Sequence, residues 1–246
     1  MDIIEIVNLS HRFSNGTLGL NKINLSIRKG TFVVIGGLNG SGKTTLLKHL
    51  NGLLLPHTGI VKINGVPVSK NLLRARQIVG MVFQDADSQI VGETVYDDVA
   101  FGPENLLLNR AEIEKRVSEA LTCVGLIDIA EQRPHVLSGG EKRRLTIAGI
   151  LAMEPQVLVF DEPFSNLDYP GRQQVLEQIL SLHASGHTIL IATHDLEDVM
   201  TYADRLILMK DGVVVKDGSP DKLIDDLIVL GILEPRGFRF EMEMPS

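Results

Sequence analysis

The sequence predicts an α/β fold around a largely parallel sheet, on three observations. Short apolar runs alternate with stretches of helical spacing, the trace that strand–helix–strand units leave in a chain. The clearest runs, Phe32–Ile35, Val79–Phe83, Val157–Phe160, Thr188–Ala192 and Leu206–Met209, are apolar throughout rather than alternating, as strands covered on both faces require. The first of them leads into a glycine-rich loop that opens a helix, Lys43–Leu50.

In chain order, Ile3–Leu9 and Ile23–Ile27 place polar residues between apolar ones, so they predict an antiparallel edge sheet ahead of the core. Between the second and third core strands, residues 86–152 predict a helical insertion. Ala111–Cys123 carries Ile113, Val117, Ala120 and Leu121 at helical spacing, and Glu141–Met153 is a further helix. Asp211-Gly212 precedes a return strand, Val213–Lys216, the signature of a hairpin. No internal repeat or low-complexity linker appears. The whole chain 1–246 therefore reads as a single domain: an α/β core of about 1–85 and 153–220, the helical part at about 86–152, and a short extension at 221–246. Gly231–Ser246 has two prolines and mixed signals and predicts no element.

With 44% hydrophobic and 22% charged residues, disorder and coiled coil are excluded as the main description. No apolar run approaches the roughly 20 residues needed to span a bilayer, and no secretory segment follows Met1. The single Cys123 excludes an internal disulfide framework and a cysteine-rich metal site, so a reduced, cytosolic chain is expected. The net charge of −7 is unevenly spread. Residues 1–76 hold ten Lys/Arg against two acids, and residues 110–246 hold fourteen against twenty-three. Residues 77–109 hold no Lys, Arg or His and six acids, Asp85, Asp87, Glu93, Asp97, Asp98 and Glu104. That window reads either as a solvated acidic face or as a surface for a basic partner.

Gly37-Leu38-Asn39-Gly40-Ser41-Gly42-Lys43-Thr44 matches the phosphate-loop pattern G-x-x-x-x-G-K-[ST]. Glycines let successive N–H groups point at phosphate oxygens, and the helix N-terminus adds positive potential. Lys43 would place a point charge on the β- and γ-phosphates, and the Thr44 hydroxyl would ligate Mg²⁺. Thr45 completes the nucleotide-binding set. Val157–Phe160 ends in Asp161-Glu162, at the strand end where an α/β sheet presents its ligands. Asp161 is expected to hold Mg²⁺ and Glu162 to orient or deprotonate the attacking water. Leu137-Ser138-Gly139-Gly140-Glu141 precedes a helix and forms a second anion nest. One nucleotide needs no second nest, so this one is expected to serve ATP held by another copy.

In their order these motifs resemble the ABC ATPase family over about residues 3–220, which implies a P-loop NTPase with a RecA-like core, an N-terminal antiparallel β subdomain and an inserted α-helical subdomain. The resemblance adds Phe13 as the aromatic against adenine, Gln84 as a Mg²⁺-touching γ-phosphate sensor, His194 as the switch histidine and Asp168 as an aspartate at the dimer interface. Leu38 replaces a common proline and Glu141 a usual glutamine, and neither change removes a ligating group.

The segment Val82–Gln89, followed by Thr94–Leu106, resembles the ATPase subunit of energy-coupling-factor (ECF) importers, whose best-known branch imports cobalt. The resemblance implies a peripheral subunit on the cytoplasmic face of the membrane. Its partners would be a second ABC ATPase subunit, identical or related, a transmembrane coupling subunit and a substrate-binding membrane subunit; nucleic acid is not expected. Cobalt, nickel, biotin or another vitamin would be the cargo. Asp85, Asp87 and Gln89 become docking candidates for an arginine of the coupling subunit. About 25 residues follow Asp221, fewer than many such ATPases carry, so dimer contacts without ATP are expected to be weak or to depend on the membrane subunits. Two alternatives stand: an ATPase of another importer class, for amino acids or metal chelates, and a soluble ABC protein of DNA repair or the ribosome. The Asp97–Leu106 segment speaks against the first. The acidic balance, with neither a second cassette nor a long coiled coil, speaks against the second.

Overall fold

A computed structural model describes residues 1–232. The chain runs β1 (Asp2–Arg12), β2 (Leu18–Arg28), β3 (Phe32–Gly36), α1 (Lys43–Leu50), β4 (Thr58–Ile63), β5 (Val66–Pro67), α2 (Leu72–Ile78) and β6 (Val79–Val82). Then come α3 (Val95–Asn105), α4 (Arg110–Cys123), α5 (Gly139–Leu151), β7 (Val157–Asp161), α6 (Tyr169–Ala184), β8 (Thr188–Thr193), β9 (Arg205–Lys210), β10 (Val213–Gly218) and α7 (Ile224–Val229). Most of the segment Gly231–Ser246, left unassigned above, lies outside the described residues.

The larger sheet has the order β10-β9-β3-β8-β7-β6, parallel except for the β9–β10 hairpin. The smaller sheet, β2-β1-β4-β5, is antiparallel. The continuous apolar character of β3 follows from its two covered faces. Phe32 and Val34 face one core with α3, α4, α5 and α6, whereas Val33 and Ile35 face a second core with the smaller sheet and α1. Phe32 and Phe160 are fully buried, each contributing about 2–3 kcal/mol by transfer from water.

The expected strands are all present, most of them a residue or two longer than the apolar runs. The inserted helices α3, α4 and α5 lie between β6 and β7, which are direct neighbours (Val79 opposite Val157), so the insertion leaves the sheet intact. α5 begins at Gly139 rather than Glu141, because Ser138 caps it. Five elements were not anticipated: β4 and β5, which form a hairpin, and the helices α2, α6 and α7. The hairpin turns through Asn64 and Gly65, both at positive φ, an Asn-Gly signal between apolar residues that sequence alone carries. α6 is the longest helix, capped by Asp168 with Pro170 in its first turn and Val175, Leu176, Ile179 and Leu182 inward. Among the described residues no helix is long and apolar enough to cross a membrane.

Candidate nucleotide site

The loop after β3 turns back so tightly that a Cβ at Gly37 would strike the Met209 carbonyl oxygen, so only glycine fits there. Gly42 caps α1 in the left-handed region (φ 103°), with no side-chain cap and no acid in the first turn. The first N–H groups of α1 are thus left to whatever anion sits on the loop. The Ser41 hydroxyl is buried without a partner. Lys43, 6% exposed, folds back on the loop, its Nζ donating to the carbonyls of Gly37 (2.6 Å) and Leu38 (3.4 Å). An open cleft of about 430 Å³ joins Phe13, Asn39, Gly40, Ser41, Gly42, Lys43, Thr44, Thr45, Gln84 and Glu162. Phe13 stands half exposed at its rim, edge-on to His11 at 5.0 Å. Leu38 points away into a small apolar depression with Met209, Leu230 and Ile232.

β7 delivers Asp161 and Glu162 beside this loop. Asp161 accepts a hydrogen bond from Thr44 Oγ1 at 3.0 Å. Burial pushes its carboxyl pKa up, the Thr44 bond draws it back, and neighbouring Glu162 adds to the rise. A cation would relieve that buried carboxylate. Mg²⁺ is commonly held by one or two carboxylates together with other oxygen donors and substrate phosphates. Thr44, Asp161 and Gln84 fit that oxygen-donor set.

Glu162 sits at φ 48°, a left-handed conformation rare for a side chain of this size and concentrated at functional sites. Its carboxylate faces the site rather than solvent. It accepts from Thr193 Oγ1 (3.0 Å) and the His194 amide (3.1 Å), lies 3.0 Å from His194 Nδ1, and reaches Lys43 Nζ at 3.5 Å. Glu162, Lys43 and His194, separated widely in sequence, thus meet where the start of α1 lies beside the ends of β7 and β8.

The second nest is built differently. Ser138 Oγ accepts from the Glu141 amide (3.3 Å), and Glu141 accepts in return from the Ser138 amide (2.8 Å) and hydroxyl (2.7 Å), a complete capping box. These bonds hold the Glu141 carboxyl below its usual range, the Ser138 side chain contributing most. Leu137 is buried beneath. Gly139 lines a separate depression with Gln84, Asp85, Lys142, Arg143 and Leu167, and none of residues 137–141 lines the phosphate-loop cleft. Asp168 is exposed and caps α6 through the Gly171 amide at 3.0 Å.

In the acidic window, Asp98 is buried and caps the amides of Val91 and Gly92, and Asp97 forms the capping box of α3 with Thr94. Asp87 pairs with Lys142 at 2.7 Å. Asp85 is exposed and has no ion-pair partner among the described residues. Gln89 turns inward, accepting from the Phe83 amide and donating to the Met81 carbonyl, so its amide braces the loop. A depression of about 560 Å³ borders Asp87, Glu93, Arg133, His135 and Lys142, so this surface carries both signs of charge. Sequence reasoning missed Thr193, which holds Glu162, and Arg143, which grips the loop at Gln84. The run Lys142-Arg143-Arg144 behind the nest was the available signal for the latter.

Fold, phosphate loop and acid pair define a P-loop nucleoside triphosphatase. The family model described as ABC transporter matches residues 20–165. The energy-coupling factor transporter ATP-binding protein EcfA of Methanocaldococcus jannaschii is 46% identical over 230 residues, covering 92% of this chain and 82% of its own. A putative ABC transporter ATP-binding protein of Halobacterium salinarum is 47% identical, over 95% of this chain and all of its own. The structure of cbiO1 from Clostridium perfringens, described as part of the ABC transporter complex cbiONQ, superposes with a TM-score of 0.84 at 38% identity, covering 93% and 92% of the two chains. The chain belongs to the ABC transporter ATP-binding family, in its energy-coupling-factor branch, and that family binds and hydrolyses ATP.

Proposed function

We propose that this chain is the ATP-hydrolysing subunit of an ECF-type importer, working on the cytoplasmic face of a membrane through transmembrane partners. The observation that carries the reading is the separation of two anion sites. The phosphate-loop cleft holds Lys43, Thr44 and Glu162 but nothing of the Ser138–Gly140 nest. Two chains, identical or related, closing head to tail would place each ATP between Gly37–Thr44 of one and Leu137–Glu141 of the other, with Asp168 at the interface.

In this reading Phe13 stacks on adenine, residues 37–45 cradle the phosphates, and Gln84 and His194 read the γ-phosphate. Thr44, Asp161 and Gln84 would hold Mg²⁺, which would supply neutralisation of phosphate charge when bound. The γ-phosphate competes with Glu162 for the same two groups, Lys43 and His194. Its arrival frees the carboxylate to take a proton from the attacking water, giving ADP and phosphate. Hydrolysis lets the pair open, a population shift set by nucleotide state. The loop from Gln84 carries that motion to the membrane subunit, with Asp85 and Asp87 facing an arginine there. The cargo in this reading is a transition-metal ion such as cobalt or nickel, or a vitamin, on the resemblance of the Val82–Leu106 segment to ECF ATPases.

Co-purification in detergent tests the importer reading: the chain should travel with a membrane subunit, and a protein found only alone would refute it. Reversing charge with D85K and D87K together should abolish uptake while MgATP binding stays intact; normal uptake would refute the docking residues.

A further inference from the structure

We propose that Arg143 is a positioning residue that ties the γ-phosphate sensor loop of one ATP site to the nest serving the other, so that both move as one body. The inference rests on the two-chain reading above and adds a residue to it. Arg143 lies in the second turn of α5 and is 3% exposed. Its guanidinium donates to the Phe83 carbonyl and, at 2.6 Å, to the Gln84 carbonyl. Because it holds the main chain, the side chain of Gln84 remains in the phosphate-loop cleft. The nest Ser138–Gly140 stands about one turn away on the same rigid helix. Lys142 reinforces the grip through Asp87, and Arg144 bonds Gln174 on α6.

A stabilising role explains this residue poorly. A buried guanidinium is costly, and burial lowers the pKa of Arg143, with Asp85 and Asp161 only partly opposing it. No carboxylate contacts it among the described residues, and its Nε is buried without a partner. The loop it holds is itself only partly buried, Gln84 being exposed, so water can take over the two carbonyls when the guanidinium is removed. A planar fork on two successive carbonyls sets angle as well as distance. A displacement of the Gln84 backbone therefore reaches the nest through two bonds and one turn of helix.

The test uses the full chain with R143M and R143K, each alone and combined with Glu162→Gln. R143M should keep its melting temperature, and dilute single chains should bind MgATP within about twofold of the parent. Its kcat should fall about tenfold with little change in KM, the mark of an interaction that matters after binding. MgATP-driven pairing of the Glu162→Gln chain should weaken by a similar factor. R143K, which satisfies one carbonyl at a time, should recover part of both losses. Parental turnover and pairing in R143M would overturn the proposal. So would a parallel fall in melting temperature, affinity and turnover that R143K leaves uncorrected, because that marks a structural role. Failure of Glu162→Gln to pair with Arg143 intact is a distinct result: it removes the two-chain reading and this inference with it.

Discussion

The N-termini of α1 and α5 both look like anion sites in sequence, yet they are finished in opposite ways. At α1, a left-handed glycine provides no cap, no acid enters the first turn, and the adjacent Ser41 hydroxyl has no partner. At α5, Ser138 and Glu141 satisfy each other in a closed capping box. The first end is open to phosphate; at the second, the amides of Ser138 and Glu141 are already taken by the box. One chain thus carries a cleft ready for nucleotide and, apart from it, a helix start partly occupied by its own side chains, which the proposed two-chain arrangement would bring to a ligand held on the other chain.

The strongest way to break the comparison is at α1. Lys43→Ala should lower MgATP affinity by about 30-fold or more, since a charge-assisted bond contributes about 2 kcal/mol or more; calorimetric titration reads it directly. Ser138→Ala strikes α5 instead. MgATP affinity of the single chain should hold while turnover drops about tenfold, and loss of the cap should lower the melting temperature by about 2–4 °C. Equal loss of affinity in both variants would erase the distinction. Glu141→Gln keeps a capping side chain but removes a negative charge where a phosphate is expected to arrive. ATP-driven pairing, followed by sedimentation, should tighten by about threefold, more at low salt than at high. The smallest effect concerns the far end of α1. His49 is fully buried, with Nδ1 2.7 Å from the Thr45 carbonyl. Burial lowers its pKa, the neighbouring His11 adds to the fall, and the Thr45 contact opposes it. Below about pH 6.5 the unfolded chain takes the proton first. Melting temperature should therefore decline as pH falls through that point, and His49→Gln should flatten the decline.

The fully buried parallel strands were legible because both faces need apolar residues, so β3, β7 and β8 read as unbroken runs. The phosphate loop and Asp161-Glu162 were legible because their chemistry is local in sequence. α6 escaped although its cap and apolar spacing were in plain view, and β4–β5 escaped despite an Asn-Gly turn. The electrostatic neighbourhood was the less legible part. The Thr94–Asp97 capping box was local in sequence and went unread, whereas the placing of Glu162 against Lys43 and His194 depends on which strand ends and helix starts meet. The uniform acidity of residues 77–109 vanished for the same reason: bases from α5 and from the segment before it stand beside the loop.

In the proposed arrangement one ATP site needs two chains. Light scattering on Glu162→Gln, with and without MgATP, tests it most directly. A mass that doubles only with MgATP, reverts on nucleotide removal, and fails to double when Ser138→Ala is added is the predicted result. A chain that stays single at saturating MgATP, or doubles regardless of Ser138, would contradict it.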